Sequence, residues 1–153
     1  MKKLSHYDDS GRARMVDVSE KLETRRTATA QAFVKIRPAV LKRLPQNPKG
    51  DPLEVARFAG IAAAKRTSDL IPMCHPLMLT HVEVTASIKP RGVGIVAKVS
   101  TTGATGVEME ALTAAAVAAL TVYDMTKALD KGIEIQDLYL VEKTGGKSGD
   151  FKR

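Results

Sequence analysis

Two hydrophobic periodicities take turns along the chain, and their order limits the folds open to it. Apolar and polar residues alternate, as in strands with one buried face, over four segments: 24–37, 81–89, 93–99 and 133–141. A helical pattern over 52–65 follows the first of these, and a longer one from Thr105 to about Leu129 precedes the last. The order strand, helix, strand, strand, helix, strand predicts an α+β fold of the ferredoxin-like split βαβ type, with an antiparallel sheet packed against helices.

Capping patterns mark where the two helices begin. Asp51 is predicted to be the N-cap of the first helix, with Pro52 at its first position and Glu54 placed to complete a capping box. Thr105 and Glu108 repeat the capping-box spacing before the second helix, so Glu108 is interpreted first as a capping residue. The many alanines of the second helix predict close packing against a sheet or a neighbouring helix.

The other segments are predicted to be short or irregular. A short helix is expected over 40–44 and an exposed loop over 46–50. After the last strand, residues 143–153 read as a tail rich in Gly and Lys with no further element. We therefore expect a single domain over 1–153, with flexible tails at 1–14 and 143–153.

The charge of the chain is positive and unevenly distributed. Its 153 residues include 24 Lys and Arg against 17 Asp and Glu, a formal net charge of +7. Residues 1–50 hold 12 basic and 5 acidic side chains, whereas residues 101–153 are net acidic. Such an excess favours anionic partners, which include nucleic acid, a membrane surface and phosphorylated small molecules.

The aromatic content and the single cysteine narrow these classes. Three Phe, three Tyr and no Trp are scattered along the chain, whereas proteins that bind single strands interleave charge with stacking aromatics. The basic residues do not form one face of an amphipathic helix, which disfavours a membrane-surface helix. One cysteine excludes an internal disulfide and a thiolate zinc site. No apolar run reaches about 18 residues and the N-terminus is too polar for a signal peptide, so we expect a cytoplasmic protein.

Two motifs invite interpretations that the pattern does not support. Gly146-Lys147-Ser148 lacks the earlier glycine of a nucleotide-binding P-loop, since Val141 stands there and no helix follows. What remains open is a loop that folds over a phosphate, or a solvated tail. Cys74, His75 and His81 are too few for a catalytic metal site, so we expect no metal; His75 is still well placed to line a pocket as a proton carrier.

Carboxylates at both ends of the second helix are candidate functional groups. Glu110 lies in its first turn, where the helix dipole favours a negative charge. Asp124 and Lys127 are three residues apart, which fits a surface ion pair or, in a pocket, a carboxylate base beside a phosphate-binding lysine. Glu110 and Asp124 are separated by about 21 Å along the helix. One small substrate cannot easily span both. If both ends act on the same ligand, the second end must come from another subunit, for instance through two such helices packed antiparallel across a two-fold axis.

A family resemblance is carried by seven segments: 15–19 (MVDVS), 49–51 (KGD), 63–67 (AAKRT), 69–77 (DLIPMCHPL), 105–112 (TGVEMEAL), 123–125 (YDM) and 145–149 (GGKSG). With them the chain resembles the molybdenum cofactor biosynthesis protein C family, the cyclic pyranopterin monophosphate synthases. The resemblance extends from the N-terminal tail to the end of the chain. The alternative is a small basic ferredoxin-like RNA-binding module, which would need an aromatic cluster that the strand segments lack.

The resemblance implies an assembly and a reaction. The protomer is expected to be ferredoxin-like and to form a homohexamer, a trimer of dimers, with active sites between subunits. The substrate is the small-molecule triphosphate (8S)-3',8-cyclo-7,8-dihydroguanosine 5'-triphosphate, and the product is cyclic pyranopterin monophosphate, with release of diphosphate. No redox cofactor, nucleic acid or membrane partner is implied, and Mg²⁺ accompanying the triphosphate stays open.

The resemblance also assigns residues by position. It implies three catalytic residues: Asp124, Lys127 and Lys49. It implies substrate-binding positions as well: Met73, Cys74, His75, Met109, Glu110, Glu108, Arg26, Lys143 and Lys147. Thr126 departs from the family pattern, which often has Cys there, without changing these roles. Opening and reclosing a purine ring requires proton transfers. Suitable groups for these transfers are Asp124, Glu110, His75 and a lysine of lowered pKa.

Overall fold

The strands and helices of the chain follow the predicted order. The structure, a computed structural model, describes residues 5–153. Its elements are β1 (Thr24–Lys35), α1 (Pro38–Leu41), a single 3₁₀ turn (Leu44–Gln46), α2 (Pro52–Lys65), α3 (Thr67–Leu70), β2 (Leu79–Lys89), β3 (Gly92–Gly103), α4 (Glu108–Thr126), β4 (Glu134–Thr144) and β5 (Phe151–Lys152).

The five strands form one antiparallel sheet in the order β2-β3-β1-β4-β5, which confirms the ferredoxin-like prediction. The predicted parity of β1 is also confirmed, since Ala28, Ala30, Ala32 and Val34 are all buried. Their face of the sheet is covered by α4, which packs on β1, β3 and β4, and by α2, which packs on α4 and β2. The opposite face is half-exposed and largely polar.

The start of α2 is the one predicted from the sequence. The Asp51 carboxylate accepts a hydrogen bond from the Leu53 backbone N–H at 2.9 Å, and Pro52 occupies the first position. Glu54 accepts instead from Arg57 at 3.0 Å, so the cap is provided by the Asp51 side chain.

The start of α4 differs from the prediction. The N-cap is Val107 and the helix begins at Glu108, so Thr105 and Gly106 stay in the preceding loop. The Arg26 side chain holds the preceding loop by donating to the carbonyls of Gly103 (2.9 Å) and Ala104 (3.1 Å). The Glu108 carboxylate is turned towards the Lys143 ammonium, 3.8 Å away, and no side chain caps the helix. Glu108 is therefore not the partner in a capping box with Thr105. The helix also ends at Thr126, three residues before the predicted Leu129.

The alanines of α4 pack closely, as predicted. Five of them are completely buried: Ala111, Ala114, Ala115, Ala118 and Ala119. At the crossing with α2, a Cβ on Gly60 would lie only 3.0 Å from the Ala114 carbonyl oxygen. Close approach of the two helices thus depends on small side chains on both.

The C-terminal segment is more regular than predicted. β4 continues to Thr144 and β5 pairs with it, with Lys152 opposite Glu142, so a tail without a further element from residue 143 is wrong. Arg153 follows β5 and lies over the Tyr139 ring, 4.5 Å from its centre. At the other end, residues 1–4 of the predicted tail 1–14 lie outside the described residues, and Tyr7 pairs with Ala13. No helix in residues 5–153 is long and apolar enough to cross a membrane.

Candidate active site

A cavity of about 280 Å³ opens at the N-terminal end of α4. Its walls come from the loop before β2, the first turn of α4 and the N-terminal segment. Six of the predicted substrate-binding residues line it together: Met73, Cys74, His75, Glu108, Met109 and Glu110. Residues separated by more than 30 positions in the sequence are thus gathered around one space.

The loop that carries Cys74 and His75 is held at its C-terminal end by a hydrogen bond from a buried hydroxyl group. Thr101, on β3, is 1 % exposed and donates from Oγ1 to the Met78 carbonyl at 2.6 Å. At the other end of the loop the Cys74 N–H donates to the Ile71 carbonyl at 3.0 Å. These two bonds hold the backbone of the loop from which Cys74 and His75 line the cavity.

Glu110 is the buried carboxylate of this cavity, only 4 % exposed. Burial raises its pKa, and the neighbouring Glu108 raises it further. Burial also raises the pKa of the Cys74 thiol, with a smaller contribution from Glu110. The cavity thus favours a protonated thiol and a carboxyl group that holds a proton more readily than usual.

Glu108 faces the C-terminal end of β4. Its carboxylate lies 3.8 Å from the Lys143 ammonium, which donates to the Ser148 hydroxyl. Lys143 thereby joins the first turn of α4 to the glycine-rich loop 145–149. Lys147 lies on this loop and is exposed to solvent, outside the residues that line the cavity.

Arg26 stands between the two loops at this end of the sheet. Its bonds to Gly103 and Ala104 hold the loop before α4, as described above. On its other side lies Gly146, where a Cβ would clash with the Arg26 Nη1 atom. Gly146 has a φ of +84°, a conformation that favours glycine. Arg26 therefore lies against both the loop before α4 and the loop 145–149, which carries Lys147.

The N-terminal segment contributes cavity residues that the sequence prediction missed. His6, Val16, Val18 and Lys21 line the cavity. Val16 and Val18 belong to the segment 15–19, which carried part of the family resemblance, and Lys21 belongs to the basic first third. Neither pattern identified a position on the cavity wall, because this segment has no regular structure from which to predict its path.

A second group of predicted residues lies at the C-terminal end of α4. The Lys127 ammonium donates to the Asp124 carboxylate at 2.6 Å, and the Lys49 ammonium donates to the Asp124 carbonyl at 3.3 Å. The hydrogen bond from Lys127 lowers the pKa of Asp124, helped by the charges of Lys127 and Lys49. The same hydrogen bond raises the pKa of Lys127, so Lys127 is not the lysine of lowered pKa that the chemistry suggested.

The two groups lie at opposite ends of one helix. Fourteen residues separate Glu110 from Asp124, about 21 Å along the axis. Between them one side of α4 carries an apolar stripe of exposed and half-buried residues: Met109, Leu112, Ala116 and Leu120. Leu120 is 56 % exposed and Met109 36 %. The chain thus presents two separate groups of candidate site residues, each a candidate half-site, joined by an apolar helix face.

His81 is not part of either group. It lies on β2, 3.9 Å from Glu83, and lines a different groove from Cys74 and His75. Within residues 5–153 no group of three or more His, Cys, Asp or Glu side chains is placed to hold a metal ion.

The fold and the two half-sites define a class of protein. A ferredoxin-like fold brings carboxylates, a thiol and an imidazole to one end of a long helix and two lysines beside an aspartate to the other. These are proton-transfer groups and cations that an enzyme acting on a small molecule can use. The model of the MoaC family matches residues 15–146, and the chain belongs to this family.

Two relatives show how far the likeness extends. A protein of Parvibaculum lavamentivorans named cyclic pyranopterin monophosphate synthase is 56% identical, over 99% of this chain and 97% of its own length. A protein of the same name from Roseiflexus sp. is 57% identical, over 99% of this chain and 98% of its own length. Both likenesses cover the two half-sites and the N-terminal segment.

Proposed function

We propose that the protein is a cyclic pyranopterin monophosphate synthase of molybdenum cofactor biosynthesis. It converts (8S)-3',8-cyclo-7,8-dihydroguanosine 5'-triphosphate into cyclic pyranopterin monophosphate and releases diphosphate. The observation that carries the proposal is the grouping of the family-matched residues: all of the matched cavity residues meet at one end of α4, and Asp124, Lys127 and Lys49 meet at the other.

The cations of both half-sites suit a triphosphate. Lys49 and Lys127 lie beside Asp124, and Lys143 lies at the rim of the opposite half-site with Lys147 on the neighbouring loop. Ammonium groups bind phosphate oxygens and stabilise the negative charge that develops as diphosphate leaves. Lys21 adds a further cation to the cavity wall.

The carboxylates suit proton transfer in opposite directions. Asp124 has a lowered pKa and is ionised near neutral pH, which fits a base. Glu110 has a raised pKa and holds a proton more readily, which fits an acid, with His75 on the same cavity wall. We assign Asp124, Lys127 and Lys49 as catalytic and the cavity residues as substrate-binding.

Arg26 is assigned to the substrate-binding half-site with a supporting role in it. Its Nε and Nη2 atoms already donate to backbone carbonyls of the loop before α4. In this proposal Arg26 therefore stabilises the phosphate through its positive charge rather than through hydrogen bonds from these two atoms.

The complete site is assembled from two subunits in this proposal. The half-sites lie too far apart for one substrate, and the exposed apolar side of α4 suits packing against the α4 of a second copy in the antiparallel direction. Such a pair places Asp124 of one protomer near the cavity of its partner. We propose that these pairs form a homohexamer, a trimer of dimers.

The reaction is proposed to need no redox cofactor, since ring rearrangement with cyclic phosphate formation leaves the overall oxidation state unchanged. Mg²⁺ would act only on the triphosphate and is varied in the assay.

The experiment is conversion of the cyclo-dihydro-GTP by the purified protein, with and without Mg²⁺. Mass spectrometry detects the cyclic pterin and an enzymatic assay detects diphosphate. We expect both products from the wild type and neither from a folded Asp124→Asn variant. Absence of both products from folded wild-type protein would overturn the proposed function. Full activity of Asp124→Asn would overturn the assignment of Asp124 as a catalytic residue.

An RNA-binding function is not favoured. Recognition of RNA by a ferredoxin-like sheet uses aromatics on the central strands. Here β1 has Phe33 and β3 has no aromatic residue.

A further inference from the structure

Asn47 is the one half-buried residue in the exposed segment that carries Lys49. Its neighbours Gln46, Pro48 and Lys49 are all exposed. The Asn47 side chain faces the last turn of α4, where its Nδ2 donates to the Met125 carbonyl at 2.7 Å. Its Oδ1 accepts from the Lys49 backbone N–H at 2.9 Å. A single amide group thus connects the backbone of Lys49 to the helix that carries Asp124.

The Met125 carbonyl needs a hydrogen-bond donor from outside the helix. It lies in the last turn of α4, where carbonyls lack the N–H groups of a following turn, and Met125 is only 7 % exposed. The amide N–H of Asn47 satisfies this carbonyl. The bond is therefore more costly to lose than one made to solvent.

Lys49 is attached to α4 at two points. Its backbone is held through Asn47, and its ammonium donates to the Asp124 carbonyl at 3.3 Å. The next residue, Gly50, has a φ of +99°, which gives the loop a sharp turn just after the lysine. A flexible side chain reaches one point reproducibly only when its backbone is fixed, and Asn47 supplies that constraint.

We infer that Asn47 is a positioning residue, which sets the Lys49 ammonium beside the Asp124–Lys127 pair for the reaction. The inference rests on the proposed function, because that function makes Lys49 a catalytic residue. Asn47 itself does not contact substrate. Misplacement of a catalytic group by about 1 Å can cost up to about a hundredfold in rate, so loss of this tether is expected to cost about tenfold in kcat.

The variants separate the two bonds of the amide. Asn47→Ala removes both bonds, whereas Asn47→Asp keeps the acceptor for the Lys49 N–H and replaces the donor by an oxygen that faces the Met125 carbonyl. Both are expected to lower kcat by about tenfold with KM changed by less than about threefold. Gln46→Ala removes an exposed amide from the neighbouring position and is expected to stay within about twofold of the wild type.

Two readouts report on Lys49 specifically. Amide hydrogen exchange at Lys49 is expected to accelerate at least about tenfold in Asn47→Ala, because its N–H loses its acceptor. In a Lys49→Arg background, Asn47→Ala is expected to have less than about a twofold effect on the remaining rate, because the two residues act as a unit. Circular dichroism and molar mass confirm that each variant is folded and assembled.

The outcomes decide between the inference and the proposed function. An inactive wild type counts against the proposed function, and the exchange measurement then still tests the tether. With an active wild type, unchanged kcat in Asn47→Ala overturns the inference, as does an equal loss in both backgrounds. Where Lys49→Arg is too slow to assay, unchanged exchange at Lys49 overturns it.

Discussion

The Lys127 ammonium lies 2.6 Å from the Asp124 carboxylate, one turn apart at the C-terminal end of α4. Lys49, in the loop before α2, donates a hydrogen bond from its ammonium group to the backbone carbonyl of Asp124. A cation at a helix C-terminus is also favoured by the helix dipole. Asp124 is therefore kept ionised and Lys127 protonated by the same contact, which defines the electrostatic state of this half-site.

Removing Lys127 should change the titration of Asp124. In Lys127→Ala the pKa of Asp124 is expected to rise towards its ordinary value, because its largest cause of lowering is lost. Carbon-detected NMR titration of the Asp124 carboxyl group measures this, with Lys131→Ala as a control on the exposed lysine nearby. An Asp124 pKa that is the same in wild type and Lys127→Ala would contradict the pairing.

The glycines of loop 145–149 should differ in their tolerance of a side chain. Gly146 and Gly149 both have positive φ, +84° and +73°, so alanine is strained at either. Of these two, Gly146 is the one where the new Cβ clashes, with the Arg26 guanidinium, whereas nothing lies within 4 Å at Gly149.

Gly146→Ala is therefore expected to displace Arg26 from the Gly103 and Ala104 carbonyls. Its free energy of unfolding should fall by about 1 to 3 kcal/mol more than that of Gly149→Ala. Urea denaturation measures both values, and the Gly146→Ala enzyme should also show a higher KM. Equal loss in the two variants would show that Arg26 does not hold the loop.

The buried Glu110 should make stability depend on pH. Its pKa is raised in the folded chain, so its contribution to stability is present below the ordinary carboxyl pKa and is lost as the pH rises through the folded pKa. Glu110→Gln removes this dependence.

The melting temperature of Glu110→Gln relative to wild type should therefore increase between pH 4 and pH 8. Differential scanning fluorimetry measures it, with Glu20→Gln as a control at an exposed position. A difference in melting temperature that stays constant with pH is the result this account does not allow.

The apolar side of α4 should hold the proposed pair of protomers together. Leu120 is 56 % exposed, so Leu120→Asp is expected to leave the protomer folded but to lower the molar mass and the activity together. Light scattering after size exclusion measures the mass, and Leu120→Met serves as the conservative control. An active Leu120→Asp oligomer of unchanged mass would place the interface elsewhere.

The sequence predicts those parts of the fold that local periodicity determines. The parity of β1 and the start of α2 at Asp51 and Pro52 follow from side chains close in sequence, and both are confirmed. The start of α4 was predicted wrongly because the capping-box spacing of Thr105 and Glu108 is not used: the Glu108 carboxylate faces Lys143, from a distant strand, and the N-cap is Val107. Pairing of β5 with β4 was missed because two residues carry no recognisable period.

The candidate site likewise contains residues that the sequence predicts and residues that it does not. The carboxylates of α4 and the Cys74–His75 pair are visible from residue type and spacing, and the structure gathers Cys74, His75 and Glu110 around one cavity. Lys21 on the cavity wall and Asn47 beside Met125 were not predicted. Their positions depend on the path of irregular segments and on contacts with distant parts of the chain.

The most direct measurement of the central claim is complementation between two inactive variants. Glu110→Gln and Asp124→Asn change opposite half-sites, and each alone is expected to be nearly inactive. After subunit exchange, verified by mass-tagged chains, half of the pairs are mixed and each mixed pair regains one intact site, so activity should recover to about one quarter of wild type. No recovery in verified mixed oligomers would contradict an active site built from the two ends of α4 on different subunits.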